Sequence, residues 1–311
     1  FLQGRAQTGV VVATNFGGVN ACEPLLAAGS GQDPVDPRAL FQYSFQQAAD
    51  DLAARWQLQG PRSSWSLSCA SGTAALGYAY ELVRTGRATA MVAGGYDALS
   101  RFCWSGLSAL RTMTRDKLRP FDRSRAGTIF GEGAGVLIVE EWEHACRRDA
   151  PLLAEVIGYG LNNNAYHMTA PDKGGEGLRQ AMAMALDQAG IRAEQVDHIN
   201  THGTGTKYND LTETQAIKTL FGKHAYEMQL TANKSMTGHT MGAAGAMEAI
   251  ATVLAIRDGR IPPTINYATP DPECDLNYTP NTAGTRNVTM ALSNSAGIGG
   301  CNATILFRKV I

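Results

Sequence analysis

The sequence predicts a layered α/β fold, and three observations carry that prediction. Short runs rich in Val, Ile and Thr alternate with helix-length stretches along the whole chain. The order of segments in the first half repeats the tail of the order in the second. Two helical stretches, 70–86 and 240–258, are apolar or small nearly all round, as helices enclosed between sheets are.

In the first half, strand 9–14 (GVVVAT) leads to helix 38–56, and strand 63–68 leads to helix 70–86. Strands near 89–94 and 134–140 follow. The second half opens with strand 152–160 and helix 174–190, then strand 196–201 and helix 209–221. Strand 229–233, helix 240–258 and closing strands near 288–293 and 303–309 complete it. The long buried helices end alike, as Arg84-Thr85-Gly86-Arg87 and Arg257-Asp258-Gly259-Arg260, each stopped by a glycine. Duplication of one unit divides the chain into halves 1–150 and 151–311. The opening strand and helix of the second half have no counterpart before Thr8, so we expect the chain to begin inside a longer protein.

The composition is that of an ordinary soluble protein: 311 residues, 44% hydrophobic, 18% charged, formal net charge −1. No basic block or arm suggests a nucleic-acid surface. No apolar run is long enough for a membrane span, and the opening FLQGRAQTG lacks a signal-peptide pattern. Cysteines 22, 69, 103, 146, 274 and 301 are scattered without a CxxC pair or tight Cys/His spacing. Neither a metal site nor a disulfide framework is expected, and a cytoplasmic location fits.

Cys69 stands between a strand and a buried helix. A cysteine drawn without regard to position is most often core filling. A helix N-terminus, however, offers N–H groups and partial positive charge that favour a thiolate or an oxyanion, and a strand-to-helix turn lifts a nucleophile into a cleft. Two histidines follow consecutive strands of the second half: His202 in NTHGTGT (200–206) and His239 in NKSMTGH (233–239). Either alone reads as structural; His239 precedes its buried helix much as Cys69 precedes its own. Glu248 lies mid-helix in GAAGAMEAIATVLAI, where a carboxylate needs a cation, and Lys234 is the candidate. The loop NSAGIGGCNA (294–303) is a tight hairpin or a source of oxyanion-binding N–H groups, and it lacks phosphate-loop spacing.

These residues, SCASG, HGTGT and NKSMTGH, together with FGEGAG (130–135), SNSAGIGG (293–300), AYHMTAP (165–171) and IPPTINY (261–267), resemble the β-ketoacyl-acyl-carrier-protein synthases from about Gly9 to the end. The resemblance implies the thiolase fold: two βαβαβαββ halves layered α/β/α/β/α, the first half lacking its leading strand and helix. It implies a decarboxylative Claisen condensation in fatty acid or polyketide elongation. Cys69 would carry the acyl chain as a thioester, and His202 and His239 would stabilise the enolate from malonyl-carrier protein. Lys234 and Glu248 would form an ion pair beside them. The N–H groups of Cys69 and Ile298 would bind the oxyanion, and Thr204 and Thr206 would hold the pantetheine arm. No cofactor is implied beyond the carrier's phosphopantetheine. The partners implied are acyl carrier protein and a second subunit, in a homodimer or heterodimer pairing strand 63–68.

The family's fatty-acid members usually carry Phe at both variable places of the glycine-rich loop. Here these are Ala296 and Ile298, a smaller gate implying a different acyl preference. Asn164 stands where an aspartate is common. A coenzyme A thiolase would use Cys301 as a second cysteine, and a starter-type synthase would need Asn where His239 stands. Both fit the two histidines less well. A non-extending, chain-length-setting or carrier-binding subunit is the remaining alternative, although such chains have typically lost the nucleophile or the first histidine.

Overall fold

The computed structural model describes residues 6–27 and 38–310; residues 1–5, read above for a signal peptide, lie outside them. The first half comprises β1 (Thr8–Ala13), α1 (Val19–Ala27), α2 (Arg38–Gln42), α3 (Gln47–Trp56), β2 (Arg62–Trp65), α4 (Ser71–Arg84), β3 (Ala90–Asp97), α5 (Arg101–Ala109), β4 (Gly133–Glu140) and α6 (Trp142–Arg147). The second comprises β5 (Glu155–Asn163), α7 (Glu176–Ala189), β6 (His198–Asn200), α8 (Lys207–Phe221), β7 (Gln229–Thr231), α9 (Lys234–Thr237), α10 (Ala244–Asp258), β8 (Arg260–Ile261), β9 (Gly284–Thr285), β10 (Met290–Ala296) and β11 (Cys301–Arg308).

The two main sheets run β2-β1-β3-β4 and β5-β11-β10-β6-β7. Laid over one another, β1, β2, β3 and β4 match β6, β7, β10 and β11 in order and in parallel or antiparallel sense. Among the described residues β5 and α7 have no counterpart. β11 pairs with β5 on its outer side, whereas β4 pairs among the described residues only with β3 and leaves Val136 and Ile138 exposed.

Strand alternation sets the layers. On β1 and β3, Val10, Val12 and Val92 face α3, and Val11, Ala13, Met91 and Ala93 face the centre. On β10 and β11, Ala291, Ile305 and Phe307 face the centre, and Leu292 and Leu306 face α7 and α8. The centre holds α4 and α10 side by side, giving α3, sheet, α4 with α10, sheet, α7 with α8. Small residues make the central pair possible. A Cβ on Gly72 would lie 2.7 Å from the Ala246 nitrogen, and one on Gly245 would lie 2.6 Å from the Thr73 nitrogen.

Several expectations need correction. Helix 38–56 is two helices, α2 and α3, broken at 43–46, where Ser64 Oγ donates to the Phe45 carbonyl at 2.7 Å and turns of Ser44 and Gln47 replace helical bonds. Strand 63–68 stops at Trp65, because Ser66–Ala70 form the turn that presents Cys69. Helix 240–258 begins as a 3₁₀ turn over Met241–Ala243. Helices α1, α5, α6 and α9 were not foreseen. Among the described residues no helix is long and apolar enough to cross a membrane.

Candidate active site

Cys69 occupies the turn between β2 and α4, two residues before the helix starts. Ser68 beside it has φ 54°, a left-handed conformation costing a non-glycine residue about 1–3 kcal/mol. Local bonds hold it there: Leu67 N donates to Ser71 Oγ at 2.7 Å, Ala70 N to Leu67 O at 3.2 Å, and Ser71 N to Ser68 O at 3.1 Å.

His202 follows β6, and Glu213 of α8 fixes its backbone by accepting from His202 N at 2.8 Å and Gly203 N at 2.9 Å. Lys234 opens α9 and is 1% exposed. Its ammonium pairs with the Glu248 carboxylate and donates to His202 O at 2.6 Å and to His202 Nδ1 at 3.2 Å. An ammonium only donates, so Nδ1 of His202 accepts and the ring proton sits on Nε2. The same holds for His239, whose Nδ1 accepts from Met241 N at 3.2 Å. His239 Nε2 then faces Cys69 Sγ at 3.0 Å. The two imidazoles meet edge to face, 5.5 Å between centroids, and Phe130 stacks on His239 at 5.6 Å.

The electrostatics suit hydrogen-bond donation by neutral imidazoles. Burial, and then the Lys234 charge, push His202 and His239 well below the usual histidine value. Burial raises the Cys69 thiol, opposed by the Ser68 hydroxyl, the Lys234 charge and the Ile298 N–H that points at the sulfur. Burial lifts Glu248 and Glu213, each to about 7, against the pull of Lys234 on the first and the backbone N–H groups on the second.

One ligand atom each from Cys69, His202 and His239 lies within 4.8 Å of the others, a spacing a metal could bridge. A metal would need both Nε2 lone pairs and would move both ring protons to Nδ1. There they would face the Met241 N–H and the Lys234 ammonium, so the donor set does not fit a metal.

The three side chains open onto a cavity of about 580 Å³, whose walls include Phe16, Leu107, Leu110, Phe130 and Met241. Thr204 and Thr206 line it and share a 2.9 Å hydroxyl bond, and Ala296 and Ile298 line it as well. Asn164 lines it too, tied to Asp172 at 2.7 Å. Gly300 and Asn302 reach the cavity, whereas the Cys301 sulfur takes a 3.2 Å bond from Asn163 Nδ2 outside it, which argues against a two-cysteine thiolase site. Sequence reading missed Glu213, Asp210, which accepts from Gly205 N at 3.2 Å, and Asp97. The available signal for the first two was a pair of acids in the helix directly after HGTGT.

Residues 2–145 match the family described as Beta-ketoacyl synthase, N-terminal domain, and residues 153–268 match Beta-ketoacyl synthase, C-terminal domain. The 3-oxoacyl-[acyl-carrier-protein] synthase 2 of Synechocystis sp. is 41% identical, over 97% of this chain and 75% of that protein. The Staphylococcus aureus protein of that name is 44% identical over 85% of this chain and 64% of its own length, so this chain spans about two thirds to three quarters of such relatives. Among solved structures, a type II polyketide ketosynthase bound to a hexaketide, in complex with its acyl-carrier protein, superposes with TM-score 0.93 at 35% identity, covering 98% of this chain and 79% of that one. The ishigamide ketosynthase/chain length factor gives 0.92 at 37%, covering 99% and 76%. The thiolase-like fold is therefore shared, and with both family domains matched in order this chain belongs to the β-ketoacyl synthase family.

Proposed function

We propose that this chain is the condensing part of a β-ketoacyl-acyl-carrier-protein synthase, an acyltransferase that elongates fatty acid or polyketide chains. The observation that carries this reading is the Cys69 sulfur, set on a strained turn 3.0 Å from a neutral His239 and beside His202, at the floor of a cavity large enough for an acyl arm.

Cys69 attacks the thioester carbon of an acyl chain on a carrier protein; the carbon–sulfur bond to phosphopantetheine breaks, and the departing sulfur takes the thiol proton. Malonyl-carrier protein then enters along Thr204 and Thr206. Its carbon–carboxylate bond breaks, carbon dioxide leaves, and the electron pair forms an enolate whose oxygen accepts Nε2–H bonds from His202 and His239. The enolate carbon attacks the Cys69 thioester, and the N–H groups of Cys69 and Ile298 hold the oxyanion, each such donor being worth about 3 kcal/mol. That attack forms the carbon–carbon bond; collapse of the oxyanion restores the carbonyl and breaks the carbon–sulfur bond to Cys69, leaving the extended β-ketoacyl chain on its carrier and the Cys69 thiolate, which takes a proton from water. Lys234, paired with Glu248, holds His202 in this donor state, and the Met241 N–H holds His239 in it.

The reading places the enzyme in the cytoplasm with acyl carrier protein as partner, and uses no cofactor beyond the carrier's phosphopantetheine. It also calls for a homodimer or a heterodimer with a ketosynthase-like subunit. The test is intact-mass measurement after incubation with acyl-carrier protein. Acyl mass on the parent and none on Cys69→Ala is expected, followed by loss of that mass on adding malonyl-carrier protein. A folded parent that gains no mass would sink the proposal.

A further inference from the structure

Asp97 ends β3, is 2% exposed, and takes part in no step described above. Its Oδ1 accepts from Thr14 Oγ1 at 2.6 Å and Phe16 N at 3.1 Å, and its Oδ2 from Asn15 N at 3.0 Å and Gly242 N at 2.7 Å. Three of these donors lie in the loop after β1, in the first half. The fourth lies in the 3₁₀ turn before α10, in the second. One carboxylate thus ties the halves together beside the cavity.

Each tie leads to a reacting group. Met241, just before Gly242, has φ 55°, which an unbranched side-chain residue does not adopt unless it is held. The Met241 N–H is the one that rests on His239 Nδ1. Asp97 grips the next peptide, and Gly242 admits no side chain there, since a Cβ would lie 2.7 Å from Asp97 Oδ2. On the other side, Asn15 Oδ1 accepts from Ser71 Oγ at 3.0 Å, the hydroxyl that braces the turn before Cys69.

We propose that Asp97 is a positioning residue for the condensation. By anchoring the Gly242 N–H it keeps the Met241 N–H on His239 Nδ1, and so keeps the His239 ring proton on Nε2, facing Cys69. The proposal rests on the reading of His239 as a hydrogen-bond donor in that reaction. Burial raises the Asp97 carboxyl, and the Thr14 hydroxyl and the Gly242, Asn15 and Phe16 N–H groups oppose it. Donors on both oxygens make the clamp one of dipoles around a carboxylate.

Asp97→Asn keeps the volume but turns an amide NH₂ toward one set of donors, opening one side of the clamp. In ¹⁵N-histidine NMR the parent is expected to show a pyridine-like Nδ1 at His239, and Asp97→Asn a mixture of tautomers. The variant's kcat for condensation should fall at least about tenfold with KM for malonyl-carrier protein little changed, as an imidazole in the wrong tautomer loses its function. Thr14→Val, which removes one donor on the far side, should leave the His239 signal as in the parent. A pyridine-like Nδ1 retained in Asp97→Asn, or an unchanged kcat, would overturn the proposal. Should Asp97→Asn fail to fold, amide hydrogen exchange in the parent decides: Gly242 protected at least a hundredfold supports the clamp, and exchange at the rate of an open peptide overturns it. The NMR and exchange readings need no substrate. A parent that condenses nothing would strike the proposed reaction and leave them standing.

Discussion

Lys234 Nζ lies 3.2 Å from His202 Nδ1 while pairing with the Glu248 carboxylate, so one ammonium sets the tautomer of a histidine and neutralises a carboxylate mid-helix. Both partners of the ion pair are essentially inaccessible, at 1% and 3% side-chain exposure.

Removing the cation strands a buried charge. Lys234→Met is expected to lower stability by about 3–5 kcal/mol, the cost of breaking one side of such a pair. Replacing both partners, as Lys234→Met with Glu248→Leu, should return most of that stability, since apolar pairs of similar volume substitute well for buried ion pairs. It should not return carbon dioxide release from malonyl-carrier protein, because the donor that fixes the His202 tautomer is still gone. Urea unfolding and a decarboxylation assay separate the two effects. Full decarboxylation by the double variant would remove Lys234 from the proposed chemistry.

His198 makes the pH prediction. It is fully buried on β6, its Nδ1 bonded to Gln229 O at 2.6 Å, and its Nε2 has no hydrogen-bond partner among the described residues. Burial, opposed by that carbonyl, lowers its folded-state value to about 4 from 6.5. Below pH 6.5 the unfolded chain takes up a proton that the folded chain refuses until about pH 4, so stability falls as pH falls through that window. Between pH 8 and pH 5 the loss from this group is about 2 kcal/mol, from 1.36 kcal/mol per pH unit. His198→Asn keeps a donor for the Gln229 carbonyl and removes the titration. The stability of the parent relative to this variant should therefore drop by about 2 kcal/mol on going from pH 8 to pH 5 in urea melts. A difference independent of pH would contradict the depressed value.

Ile298 carries a specificity prediction under the proposed function. Ile298 lines the cavity, is 37% exposed, and its backbone N–H lowers the Cys69 thiol, so enlarging its side chain narrows the approach without removing that donor. Ile298→Phe should slow loading of bulky or branched acyl chains by about tenfold relative to acetyl, within the 10–200-fold range that small changes in apolar fit produce. Acylation rates read by intact mass, for acetyl against a branched chain, check this. Equal slowing of both would mean that the loop itself has moved.

What could be read in advance, and what could not, follows from the range of the interactions. Cys69, His202 and His239 were legible because each lies in a segment that follows a strand of a repeated unit, so one topology carries them to one place. Lys234 with Glu248 was legible because a carboxylate mid-way along an apolar helix demands a cation. The break at 43–46 was not, since the Ser64 hydroxyl that satisfies the Phe45 carbonyl comes from a strand 19 residues on. The roles of Asp97, Asp210 and Glu213 were not legible. Their function exists only after folding brings backbone N–H groups of distant loops onto them.

The last prediction concerns assembly. β2 is the other edge of the first sheet, pairing only with β1 among the described residues. In the same half, α2 and α5 both pack on α1 and expose Phe41 at 73%, Leu40 at 60%, Phe102 at 58% and Trp104 at 47%. The Ser64 Oγ bond to Phe45 O ties the end of this apolar surface to β2. An open edge with large exposed aromatics is a surface that a second subunit would cover by strand pairing and apolar burial together. Aromatic side chains at the centre of such an interface carry about 2 kcal/mol or more each, so Phe102→Ser with Trp104→Ser should weaken a dimer by roughly a thousandfold. Light scattering at micromolar concentration is expected to show a dimer for the parent and a monomer for the double variant, with circular dichroism unchanged. A parent that stays monomeric, alone and with a ketosynthase-like partner chain, would refute the assembly. A dimer that survives both substitutions would place its interface on another face.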